Sequence, residues 1–218
     1  MERDHESMTW SGGEVSAAWH HANRGNTYLI LAHGAGGNMH SGGLPQLGDD
    51  LAAAGIGVVR FNFPYAEARR RVPDRQPTLE TCYRAVADAV RPLASALFLG
   101  GRSMGGRIAS HIVAGGYRCR GLVFLSYPLH PPGQPQRLRD RHLYDIRAPM
   151  LFIQGTRDAF ARRDLLAGVL ERLPSATLHP LEGADHGLQV RSRAPADVTD
   201  EIVSAIVQWI SSTAPSTR

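Results

Sequence analysis

The chain has 218 residues, 43% of them hydrophobic and 20% charged, a balance that suits one soluble domain with a sizeable core and excludes a fibrous or disordered chain. The formal net charge is +4 and the isoelectric point is near 9.5, yet every basic residue is Arg and none is Lys. The arginines are scattered, with one cluster at Arg69-Arg70-Arg71 followed by Arg75 and no interleaved aromatics on which bases would stack, so no nucleic-acid partner is expected. That cluster reads as a solvated loop; the sharper reading is an anion-attracting rim near a site. Cys82 and Cys119 form neither a C-x-x-C pair nor a disulfide framework, which reads as two small hydrophobes in a reducing compartment. The first seven residues, Met1 to Ser7, are charged rather than apolar, and no window is long enough to cross a bilayer. The expectation is a cytoplasmic protein without a membrane partner.

Apolar strand-like runs alternate with helical patterns along the whole chain, which predicts an α/β fold: a mainly parallel central sheet with helices on both faces, in a single domain over residues 1–218. Val15 to Trp19 reads as an early edge strand. Thr27 to Ala32 reads as a buried strand running into His33-Gly-Ala-Gly-Gly37, Leu44 to Ala54 as a helix stopped by Gly55, and Gly57 to Phe61 as the next strand, entering Asn62-Phe-Pro-Tyr65. Thr78 opens a helix that ends near Pro92. The strand at Leu97 leads into a helix carrying Ile108, Ile112 and Val113, stopped by Gly115-Gly116. Further strands are expected at Gly121 to Leu125, Met150 to Gln154 and Thr177 to Leu181, with helices at Arg162 to Leu173 and Pro195 to Ser211. The irregular stretch from Tyr127 to Pro149 is too short to build a lid domain, so the site is expected to be open.

The most informative segment is Leu97-Phe-Leu-Gly-Gly-Arg-Ser-Met-Gly-Gly-Arg-Ile-Ala109, an apolar strand that passes through Gly101-x-Ser103-x-Gly105 into a helix. That is the pattern of a nucleophile elbow, in which a serine on a strained turn projects its Oγ above the sheet and the flanking glycines avoid a collision with neighbouring backbone. A serine hydroxyl is a poor nucleophile at neutral pH and needs a general base, which in turn needs an acid to hold its tautomer. Asp158, after the strand ending Gln154-Gly-Thr-Arg-Asp158, and His186, in Gly183-Ala-Asp-His-Gly187, supply both types in chain order. Loops after the C-termini of parallel strands gather on one edge, so residues this far apart in sequence can converge there.

On these residues the chain resembles the α/β-hydrolase superfamily, whose nucleophile, acid and base follow in the order Ser, Asp, His. Within it, the chain is similar to the small, lid-poor members like dienelactone hydrolase and the testis-expressed hydrolase-like proteins. The resemblance runs from about Tyr28 to Trp209, through His33 to Gly37, Phe61 to Tyr65, Gly100 to Gly106, Gly155 to Asp158 and Asp185 to Gly187. It implies Ser103 as nucleophile, His186 as general base and then acid, Asp158 as the orienting carboxylate, and an oxyanion hole from the backbone N–H groups of Ala35 and Met104. Dienelactone hydrolase itself uses a cysteine nucleophile where this chain has serine, so its substrate does not carry over.

Other readings stand beside these assignments. Asp185 neighbours His186, but adjacent residues in an extended loop point in different directions, and Asp158 is preferred as the acid. His33 reads as a hydrogen-bonded structural residue rather than a second base. Arg102 reads either as a binder of an anionic substrate or as a residue that the position next to an elbow serine turns away into a structural ion pair, and the ion pair is expected. Tyr65 either lines the pocket or packs in the core. Ser41, Ser110 and Ser126 lack elbow context, and His20-His21, His130 and His142 lack metal-ligand spacing, so neither metal nor cofactor is expected. The expected function is hydrolysis of a small carboxylic ester or related acyl substrate; the rival is a binding or scaffolding protein that keeps the fold without catalysis.

Overall fold

A computed structural model describes residues 3–213; Met1 and Glu2 of the charged N-terminal stretch lie outside the described residues. Eight strands form one sheet: β1 (Arg3–Trp10), β2 (Gly13–His20), β3 (Thr27–Ala32), β4 (Gly57–Phe61), β5 (Ala96–Arg102), β6 (Gly121–Leu125), β7 (Met150–Gly155) and β8 (Ala176–Leu181). Their spatial order is β1-β2-β4-β3-β5-β6-β7-β8. The pairs β1/β2 and β2/β4 are antiparallel, and every pair from β4 to β8 is parallel. Chain order and spatial order cross at β3 and β4, which leaves β3 between β4 and β5. The loops that follow β3 and β5 are therefore neighbours.

The α-helices among the described residues are α1 (Leu44–Ala53), α2 (Pro64–Glu67), α3 (Gln76–Val90), α4 (Met104–Ala114), α5 (Arg163–Leu170) and α6 (Pro195–Thr213). The inner strands β3 to β7 are buried on both faces, and their alternate residues divide between two cores as the pleat requires. On one face Ile30, Leu99, Phe124 and Phe152 pack against Tyr83, Val86, Ile108 and Val169 of α3, α4 and α5. On the other, Leu29, Phe98, Val123 and Leu151 pack against Leu47 and Leu51 of α1 and Ile202, Ile206 and Trp209 of α6. The fold is the α/β one foreseen, with no lid domain over the sheet. The stretch between β6 and β7 folds down instead: Leu129 and Leu143 are buried in the first core, and the Tyr127 hydroxyl donates to the Arg139 carbonyl at 2.8 Å.

The structure corrects the edge. The strand expected at Val15–Trp19 is β2, paired on both sides, and the edge is β1. The hairpin closes through Ser11-Gly12 between the paired residues Trp10 and Gly13. Polar Asp4, His5, Glu6 and Ser7 hide β1 from an apolar-run reading, as suits a strand at a solvent edge. The helix expected from Thr78 starts two residues earlier, because Pro77 fits the first turn, where its missing N–H costs nothing. The helix expected at Arg162 to Leu173 is shorter at both ends.

Candidate active site

Ser103 stands between β5 and α4 with φ 50° and ψ −114°, a conformation that L-residues avoid. Its amide donates to the Leu125 carbonyl at 2.9 Å, and its carbonyl accepts from Arg107 at 3.1 Å, which ties the turn to β6 on one side and starts α4 on the other. The glycines beside it are required by close approach. A Cβ on Gly101 would meet the Ala32 carbonyl oxygen at 2.5 Å, and one on Gly105 would meet the same oxygen at 2.4 Å.

His186 and Asp158 come from the loops after β8 and β7. The imidazole Nε2 lies 2.9 Å from the Ser103 Oγ, and Nδ1 lies 2.9 and 2.8 Å from the two Asp158 oxygens. A carboxylate only accepts, so Nδ1 carries the proton and Nε2 is left to accept from the hydroxyl. The Asp158 side chain is fully buried, whereas that of His186 is 23% exposed and reaches solvent. Asp185 occupies a different role: its Oδ1 accepts from the amides of Gly187 at 2.7 Å and Gln189 at 3.1 Å, shaping the loop that carries His186.

Two neighbours escaped the sequence. Gln154 at the end of β7 donates from Nε2 to Asp158 Oδ2 at 2.6 Å, and an amide closing an otherwise apolar buried strand was the signal for it. Phe160 stacks on the His186 ring at 4.1 Å between centroids, and its amide donates to Asp158 Oδ1 at 2.8 Å. A turn phenylalanine two residues past an aspartate carries no such signal.

The loop after β3 completes the recess. Gly34, Ala35, Gly36 and Gly37 line it together with Ser103 and His186, and a Cβ on Gly34 would stand 3.6 Å from that of Ser103. The Gly34 carbonyl accepts from His33 Nδ1 at 2.9 Å, from the Tyr65 hydroxyl at 3.1 Å and from the Gly37 amide at 3.2 Å. Three donors fix that oxygen; because the peptide is trans and planar, the N–H of Ala35 must point the opposite way. The Met104 N–H is the first amide of α4 and has no helical carbonyl to bond. His33 is fully buried, its Nε2 accepting from the Phe63 amide at 3.1 Å, and burial lowers its pKa to about 4 despite the Gly34 bond. It is a neutral bracing residue, and buried Tyr65 serves the same loop.

Arg102 departs from its expected ion pair. Among the described residues its hydrogen bond is to the Gly42 carbonyl, at 2.8 Å from Nη1, and no carboxylate lies within salt-bridge range. The Arg69–Arg71 loop lies beside the recess through its backbone, with the Arg71 carbonyl 3.8 Å from where a Gly36 Cβ would be, and Arg70 pairs with Asp74 at 2.7 Å. Elsewhere His20 bonds Asp49 and Arg60, His130 accepts from the Arg162 amide, and His142 stacks on His111 and bonds Ser110. Burial raises the pKa of both Cys82 and Cys119 to about 12, so each is a thiol at neutral pH. No helix among the described residues is long and apolar enough to cross a membrane.

A family model described as "Alpha/beta hydrolase domain" matches residues 25–213, which takes in every loop of this recess. The chain belongs to the alpha/beta hydrolase domain family. Solved structures share its fold across nearly full length. A serine hydrolase homologue from Coxiella burnetii is 18% identical with TM-score 0.77, the match covering 96% of this chain and 98% of that one. A lidless α/β serine hydrolase from Xanthomonas campestris is 23% identical with TM-score 0.75, covering 100% and 98%. A dienelactone hydrolase from Anabaena variabilis is 18% identical with TM-score 0.74, covering 96% of each chain.

Proposed function

We propose that this α/β-hydrolase is a serine hydrolase of small carboxylic esters or related acyl compounds, thioesters and lactones included. The observation that carries the reading is the unbroken relay from Asp158 through His186 to Ser103, each gap 2.9 Å or less. Ser103 Oγ attacks the acyl carbon while His186 Nε2 takes the hydroxyl proton, and Asp158 stabilises the imidazolium that results. The carbonyl oxygen becomes an oxyanion received by the amides of Ala35 and Met104. Collapse expels the alcohol or thiol, which takes the proton from His186 and leaves an acyl-serine. Water, deprotonated by the same imidazole, then releases the acid. Side chains and backbone supply every step, so the reaction requires no cofactor.

Small substrates are favoured because the recess is open and no lid supplies a long acyl tunnel. The proposal includes a reducing, cytoplasmic setting, which the free thiols of Cys82 and Cys119 support. The rival scaffold reading is disfavoured by Ser103 itself: a strained backbone costs about 1–3 kcal/mol, and a protein with no reaction to run gains nothing from it. A short-chain p-nitrophenyl ester and a fluorophosphonate probe test the reading together. Wild type should turn over the ester and be labelled at Ser103, and Ser103→Ala should lose both while keeping its melting temperature within a few degrees. An unlabelled, folded wild type would move the assignment to the scaffold.

A further inference from the structure

A second cavity, of about 590 Å³, lies on the α1/α6 side of the sheet behind the serine recess. Its floor is apolar, from Leu44, Leu47, Leu125, Val198 and Ile202, while Arg102 and Gly42 belong to its wall and equally to the wall of the recess holding Ser103 and His186. Arg102 therefore stands at the junction of the two spaces. Of its guanidinium donors, Nη1 is engaged by the Gly42 carbonyl, and among the described residues Nε and Nη2 have no hydrogen-bond acceptor. The nearest carboxylate on this wall, Asp185, has its Oδ1 committed to the amides of Gly187 and Gln189. Gly42 has φ 68°, and a Cβ there would stand 2.1 Å from Arg102 Nη1, so the glycine keeps the place the guanidinium occupies.

We propose that Arg102 receives a carboxylate carried on the acyl chain of the substrate, with any further apolar part of the molecule seated in the cavity behind it. The inference rests on the hydrolase reading and narrows it to anionic acyl substrates such as half-esters of short dicarboxylic acids. A guanidinium offers parallel N–H donors that match a planar carboxylate, which a point-charge ammonium does not. Burial lowers the Arg102 pKa, with Asp185 and Asp158 pulling it back; partial desolvation of this kind strengthens attraction to an arriving anion. Arg191 lines the same cavity and adds to its positive potential.

The test compares the p-nitrophenyl half-ester of glutaric acid with p-nitrophenyl valerate, its uncharged counterpart of equal chain length. Wild type should favour the half-ester in kcat/KM by about tenfold or more, the scale of one charge-assisted contact. Arg102→Gln should bring the ratio near one, whatever it does to the turnover of either ester alone, and Arg102→Lys should keep part of the preference. A wild-type ratio of one or less, or a ratio unmoved in Arg102→Gln, overturns the proposal. A readout independent of turnover separates it from the hydrolase reading: glutarate should raise the melting temperature of Ser103→Ala, and should fail to do so in Ser103→Ala/Arg102→Gln. Hydrolysis of valerate alone with no glutarate response leaves a serine hydrolase without an anion site, whereas a glutarate response in a protein that hydrolyses neither ester leaves the anion site without the hydrolase.

Discussion

Ser103 carries opposed requirements at a single residue. The hydroxyl must stand above the sheet within 2.9 Å of His186, and the backbone reaches that position only at positive φ. Strain of this type costs about 1–3 kcal/mol, and an alanine there keeps the strain while losing the hydroxyl. Glycine loses the hydroxyl and relieves the strain, at some entropic cost in the unfolded chain. Ser103→Gly is therefore expected to be more stable than Ser103→Ala by about 1 kcal/mol, a rise of roughly 2–4 °C in melting temperature for a chain of this size. Calorimetry on the two variants checks it; an alanine variant more stable than the glycine one would show that the turn is not strained.

Among the elements, the loop after β3 is what the rest of the site leans on. Its Gly34 carbonyl is held by His33, Tyr65 and the Gly37 amide, and that hold decides where the following N–H of Ala35 points. Tyr65 belongs to α2, a single turn launched by Pro64 at the end of β4, so the strand crossing of β3 and β4 brings the brace to the loop. Tyr65→Phe keeps the ring and removes the hydroxyl donor. The peptide then retains two of its three anchors, and kcat should fall by about tenfold, less than the loss of an oxyanion donor itself, with KM little changed. A variant with a lowered melting temperature but wild-type kcat would reduce Tyr65 to a packing residue.

For the whole molecule, stability should fall in acid, and buried histidines are one reason. His33 has a folded pKa of about 4 against an ordinary 6.5, and His142 is lowered to about 3 by burial and by the neighbouring His111 and Arg107. Above pH 6.5 these groups are neutral folded or unfolded and contribute no pH dependence. As pH falls from 6.5 towards 4, the unfolded chain takes up protons that the native state refuses, so stability is lost across that window. For His33 the loss is on the order of 3 kcal/mol. Urea unfolding at pH 7 and pH 4.5 should show the drop, and His33→Asn should flatten it; an unchanged slope in that variant would mean another group titrates there. The same whole-molecule view explains the open site, because the residues between β6 and β7 spend their apolar side chains on the core beneath α4 rather than on a cover.

Much of this was legible along the chain because the signals are local. Parallel strands buried on both faces read as apolar runs, and the elbow reads as Gly101-x-Ser103-x-Gly105 because close approach to the Ala32 carbonyl forbids any Cβ at its flanks. Local rules failed where a residue's role depends on what lies opposite it in space. The polar β1 became a strand only by pairing with β2, Phe160 found the His186 ring across two loops, and Arg102 met Gly42 instead of a carboxylate. Sequence by itself determined the α/β class and the residue types that meet at Ser103, His186 and Asp158, since strand burial and turn sterics act within a few residues. Only the tertiary structure decided the order of the strands, the brace on the Gly34 peptide and the cation between two cavities, because long-range packing alone brings those groups within hydrogen-bond distance.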